Sequence, residues 1–105
     1  MNLVNLTPHA INLITNTGET ISLPSSGTIA RVSSKSVTVG ETEGILLTQV
    51  TFGEVENLPP SDGRTFIVSV LVRSALPNRK DLASPGELVR DAAGNVIGCK
   101  TLIVN

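Results

Sequence analysis

The segment TIARVSSKSVTVGETEGILLTQVTFGEV, residues 28–55, decides the fold. From Thr28 to Val39 the chain reads as one long strand, with Ile29 and Arg31 on one face and Ala30 and Val32 on the other. Successive side chains of a strand point to opposite faces, so this alternation is the signature of a half-buried strand. An acidic turn follows over Gly40–Gly44. Ile45–Val55 then resumes as an apolar, β-branched run interrupted at Gly53. Branching at Cβ costs side-chain freedom in a helix and suits the pleated surface of a sheet.

Toward the N-terminus the same grammar continues in shorter pieces. Asn2–Leu6 reads as a strand broken by Thr7-Pro8, because the residue before proline is pushed extended. Ala10–Thr15, the turn Asn16-Thr17-Gly18-Glu19 and the return Thr20–Leu23 form a β-hairpin, and Pro24-Ser25-Ser26-Gly27 is a second tight turn. Toward the C-terminus, Asn57–Gly63 is loop and Thr65–Ser69 a buried strand. Val68, Leu71, Val72, Ala75 and Leu76 fit the spacing of one helix face, and Pro77 stops it, which predicts a short helix over about 69–76. Asn78–Gly86 is expected to be loop, Glu87–Arg90 a short strand, Ala92–Asn95 a turn, and Val96–Ile97 with Cys99–Val104 the closing strands. The expected fold is mainly β: a compact antiparallel sheet or small barrel with one short helix, in a single domain spanning 1–105.

Composition bounds the function. Of the 105 residues, 12 are Val, 8 Ile and 11 Thr, while Phe52 and Phe66 are the only aromatics. That speaks against a stacking platform for single-stranded nucleic acid, so a nucleic-acid polymer is not an expected partner. No apolar run approaches the ~20 residues of a membrane helix, and no membrane association is expected. A core of Val, Ile and Leu without large aromatics is thin, and a homo-oligomer that hides more aliphatic surface is expected. Cys99 is the sole cysteine, so no internal disulfide can form, and Met1–Leu6 does not read as a secretory leader; a reducing cytoplasm is the expected location. Charge is divided along the chain. Residues 1–62 carry two basic against six acidic residues, and residues 63–105 carry six basic against three acidic. Such asymmetry suits either an anion site in one half or pairing between the halves.

Four groups of residues could carry chemistry. Thr7-Pro8-His9 holds the only histidine, either a general base or a turn residue bonding a backbone carbonyl; without neighbouring Cys, His or Asp at ligand spacing, no metal is expected. Ser25, Ser26 and Gly27 could cradle a phosphate or carboxylate through hydroxyls and backbone N–H groups, with Arg31 a few residues on. Arg73, Arg79, Lys80 and Arg90 lie in the densest polar stretch, where arginine forks suit phosphate oxygens. Internal pairing, Arg79 with Asp81 and Arg90 with Asp91 or Glu87, is the competing reading. Cys99 lacks a base partner and reads as a buried structural thiol. The pairs Glu41/Glu43 and Glu54/Glu56 read as solvated surface, and no cofactor is expected.

Several blocks of the chain resemble a family of small uncharacterised proteins of bacteriophages, prophages and some bacterial genomes. They are Asn5-Leu6-Thr7-Pro8-His9-Ala10-Ile11, Pro24–Val32, Phe66–Ser69, Arg79–Leu82, Ser84-Pro85-Gly86-Glu87-Leu88-Val89-Arg90-Asp91 and Gly94–Cys99. The resemblance covers nearly the whole length and implies no activity. By analogy with the habit of small phage proteins of countering host defence, it leads to the expectation of a protein that sequesters a small anionic, nucleotide-type signal. The ligand contacts would be His9, Ser25, Ser26, Gly27, Arg31, Arg73, Arg79, Lys80 and Arg90. Two other readings stay open: a small nucleotide-processing hydrolase or lyase using His9, and a structural or protein-inhibiting interaction module.

Overall fold

A computed structural model describes residues 2–105. The chain is mainly β, with one short helix and no closed barrel among the described residues. Its strands are β1 (Leu3–Asn5), β2 (Ile11–Ile14), β3 (Thr20–Leu23), β4 (Arg31–Thr42), β5 (Ile45–Glu56) and β6 (Thr65–Ile67). Helix α1 (Val70–Ala75) follows, then β7 (Leu82–Pro85), β8 (Leu88–Arg90), β9 (Val96–Cys99) and β10 (Leu102–Val104). One four-stranded sheet runs β1-β6-β7-β10, a second runs β3-β2-β9-β8, and β4 with β5 forms a separate two-stranded ribbon.

Strand β6 explains how the layers meet. Phe66 and Val68 face a cluster with Leu6, Ala30, Val72 and Leu82, under α1 and the root of the ribbon. Ile67, pointing the other way, packs with Leu13 and Cys99 of the second sheet. The first sheet is thus covered on both faces, which is why its central strands are almost wholly apolar. Helix α1 sits where the apolar spacing places it. Ser69 caps its N-terminus, its hydroxyl accepting from the Val72 N–H at 3.3 Å. Of the expected helix face, Val72 is the one residue fully buried within α1, with Val68 buried just before it, whereas Leu71 stays half exposed.

Two expectations are corrected. The sheets are mixed, because β1–β6, β6–β7 and β2–β9 pair in parallel. And 78–86 is not loop throughout: Leu82, Ala83 and Ser84 form the fully buried centre of β7, between β6 and β10. A three-residue run of which two residues are Ala and Ser carries no periodicity, so only its place in the sheet reveals it. The parallel approach of β9 to β2 depends on Gly98, where a Cβ would lie 2.8 Å from the Asn12 carbonyl oxygen. The closing strand is likewise split into β9 and β10 at Lys100–Thr101.

The first ribbon strand is shifted along the chain from the expected Thr28–Val39. It starts at Arg31 and continues to Thr42, and the second starts at Ile45 as expected, so the turn is only Glu43-Gly44, both at positive φ (50° and 81°). That is the two-residue hairpin geometry that matches strand twist and favours glycine. Only its root, Val32 and Val55, packs on the core.

Candidate functional site

Asn5 organises the Thr-Pro-His corner. It is buried at the end of β1, and its amide Nδ2 donates to the carbonyl oxygens of His9 (2.8 Å) and Leu23 (3.0 Å). Its Oδ1 accepts from the Thr7 N–H (3.0 Å) and the Thr7 hydroxyl (2.6 Å). A buried amide must have partners, and Asn5 finds all of them in two turns. Ser25 closes the corner, its hydroxyl donating to the Thr7 carbonyl at 2.7 Å, while the Ser26 N–H donates to the Asn5 carbonyl at 2.9 Å. The structure thus joins the turns of His9 and of Ser25–Ser26. The sequence reading missed Asn5; its only signal there is a polar residue inside an apolar strand.

The Ser25-Ser26-Gly27 turn uses its remaining polar groups within itself. The Gly27 N–H donates to the Ser25 hydroxyl (3.3 Å), and the Ser26 hydroxyl donates to the Thr28 carbonyl (3.2 Å). The His9 ring is exposed and makes no hydrogen bond among the described residues, so neither a carbonyl nor a carboxylate orients it as a base.

The basic stretch is largely engaged within the chain. Arg79 holds Asp81 with both arms of its fork at 2.8 Å and also donates to the Pro59 carbonyl at 3.1 Å. The Arg79 guanidinium, together with the Ser61 hydroxyl, brings the Asp81 carboxyl down to about 2 against the cost of desolvation. Arg73 donates to the buried Ser84 hydroxyl at 2.9 Å and to Asn105 Oδ1 at 3.3 Å. The Asn105 amide in turn donates to the Arg73, Leu76 and Arg79 carbonyls, closing the C-terminal end of α1. Lys80 reaches only the Pro77 carbonyl (3.4 Å). Arg90 stands apart on β8 and donates to the Gly94 carbonyl at 2.9 Å, whereas Glu87 pairs with Lys100. The internal pairing of Arg79 with Asp81 is therefore present; that of Arg90 is with a backbone carbonyl and not with Asp91 or Glu87.

Arg31 differs. It begins β4 on the solvent side of the ribbon root and is exposed, and among the described residues its guanidinium makes no hydrogen bond or ion pair. Glu56 is its cross-strand neighbour in register, but the two do not form a salt bridge. Arg31 lines a depression of about 350 Å³ with Gly27, Thr28, Ile29 and Asn57. Arg79 lines a different one, against Gly53, Val55 and Leu76. Asn57 holds the rim, its amide donating to the Ile29 carbonyl at 3.1 Å.

Cys99 is buried, and burial pushes its thiol up. Among the described residues no group of three His, Cys, Asp or Glu side chains is placed to hold a metal ion, and no helix is long and apolar enough to cross a membrane. Comparison with known protein families, with curated proteins and with solved structures finds no match to this chain.

Proposed function

We propose that the protein, of phage or prophage origin, is a homo-oligomeric binder of a small anionic, nucleotide-type ligand, which it holds without converting. The observation that carries this reading is Arg31, an exposed guanidinium without a protein partner in a concave surface formed by the Gly27–Ile29 turn and Asn57. A free planar fork of N–H donors is the group best suited to phosphate oxygens. Thr28 lines the same depression, and its hydroxyl is a further donor. One guanidinium per chain is little charge for a phosphorylated ligand, and Glu56 opposes it in register, so sites of neighbouring copies must converge on one molecule. Sequestration is favoured over catalysis because His9 has no orienting partner and does not line the Arg31 depression.

Without Trp or Tyr the protein absorbs almost nothing at 280 nm, so a bound nucleotide stands out at 260 nm. The protein is mixed with a bacterial nucleotide extract or with cyclic dinucleotides, desalted and denatured. A 260 nm peak that releases unchanged nucleotide, and is absent for Arg31→Ala, is the expected result. A flat spectrum for the wild type overturns the reading, and recovery of a converted nucleotide replaces it with an enzyme.

A further inference from the structure

The outer ribbon is two-faced in a way its own chain does not use. Residues opposite one another in register share a face. One face carries Val32 with Val55, then Ser34 with Phe52, Ser36 with Val50 and Thr38 with Thr48, and reaches Leu46 near the turn. The other carries Arg31 with Glu56 and Lys35 with Thr51. The first face begins on the core, through Val32 and Val55, and continues outward uncovered: Phe52 is 37% exposed, Val50 50% and Leu46 61%. At the tip both faces turn apolar, with Val39, Ile45 and Leu47 also exposed around Glu41 and Glu43. A two-stranded ribbon is marginal in water by itself, so an apolar tip of this kind is stabilised by being covered.

The same chain carries a surface of matching chemistry. Ile11, Leu88, Val96 and Ile97 line an open groove of about 220 Å³ across β2, β9 and β8. Leu88, Val96 and Ile97 are each about half exposed there. Arg90 ends β8 without a carboxylate partner, and Lys100 follows β9 in a solvent-exposed pair with Glu87. The apolar tip thus carries two glutamates, and the rim of the apolar groove carries Arg90 without a carboxylate partner.

From this we infer that the ribbon tip of one copy seats in the β2–β9–β8 groove of a second copy, Val39, Ile45, Leu46 and Leu47 against Leu88, Val96 and Ile97, with Glu41 or Glu43 meeting Arg90. Tip and groove are different surfaces, so the contact is head-to-tail and closes as a ring or a reciprocal pair. It deepens the oligomer part of the proposed function by naming its surface. Its test reads mass and not ligand, so failure of the tip–groove contact and failure of ligand binding are told apart.

Light scattering after size exclusion is expected to show the wild type above its 11.0 kDa monomer mass. Leu46→Glu/Leu47→Glu breaks the tip and Val96→Glu/Ile97→Glu breaks the groove; each is expected to run as a monomer with unchanged far-UV circular dichroism. Mixed, they are expected to form a 1:1 dimer, because the first keeps an intact groove and the second an intact tip. Should a groove variant lose its fold, Arg90→Glu is expected to dissociate the oligomer and Glu41→Arg/Glu43→Arg to restore it in the mixture. A monomeric wild type at its highest soluble concentration overturns the inference and directs the tip to a different protein. Persistence of the oligomer in the groove variant overturns it in favour of ribbon-on-ribbon packing, and a mixture that stays monomeric also overturns it.

Discussion

Arg79→Ala separates a structural arginine from a ligand-binding one. Arg79 holds Asp81 through two 2.8 Å bonds and satisfies the Pro59 carbonyl, tying the 57–63 loop to the start of β7. The side chains of the pair are 25% and 16% exposed, so solvent screens them only in part. The Asp81 carboxyl lies at about 2 instead of 3.8, chiefly through Arg79. At 1.36 kcal/mol per unit this favours the ionised form by about 2 kcal/mol, which screening reduces to roughly 1–2 kcal/mol. Because the folded value is depressed, this stability is present above the unfolded value near 3.8 and is lost as pH falls toward 2. Removing Arg79 is therefore expected to lower Tm by roughly 5–15 °C at neutral pH. The difference from wild type should shrink steadily between pH 5 and pH 2. Thermal unfolding followed by circular dichroism at several pH values measures both, since the chain has no Trp or Tyr to report by fluorescence. An unchanged Tm at pH 7, or a difference that does not vary with pH, would refute the structural role and return Arg79 to the ligand-binding candidates.

Other perturbations test other parts of the fold. Asn5→Ala leaves the part-buried His9 and Leu23 carbonyls and the Thr7 N–H without their partner, at about 1–3 kcal/mol in all; a denaturant midpoint close to wild type would contradict it. Gly98→Ala places a methyl 2.8 Å from the Asn12 carbonyl and forces β9 away from β2, an overpacking cost of ~1–3 kcal/mol; a variant as stable as wild type would show that the strands separate freely. Cys99 is expected to resist alkylation at pH 8 in the native protein and to react fully in urea, because it is buried and its thiol is pushed up; rapid native labelling, read by mass spectrometry, would refute its burial.

The legible parts of the chain are those set by local rules. The β2–β3 hairpin follows from its Asn16–Glu19 turn, and α1 from its apolar spacing and Pro77. The core side of β4 is visible in the alternation of Ala30 and Val32 with Arg31. Strand β7 was not legible, because Leu82-Ala83-Ser84 is short, lacks alternation and is strand-like only between two neighbours. The parallel pairings were not legible either, since strand direction depends on where distant segments return. Among the candidate site residues, sequence proximity grouped Arg73, Arg79, Lys80 and Arg90. Folding instead gave Arg73, Arg79 and Arg90 separate partners in Ser84, Asp81 and the Gly94 carbonyl.

What the sequence alone determined is the class of structure: a small, aliphatic, β-rich chain with one short helix and no means of stacking a base on Trp or Tyr. Those are properties of composition and of neighbours a few residues apart. Only the tertiary structure decided which polar groups are occupied. Asn5 became the hub of two turns, Arg79 a fork on Asp81, and Arg31 a free cation at the root of a ribbon whose tip the chain leaves uncovered. The physical reason is that a hydrogen-bond donor has no fixed role until its acceptor is placed, and acceptors here come from segments up to 85 residues away.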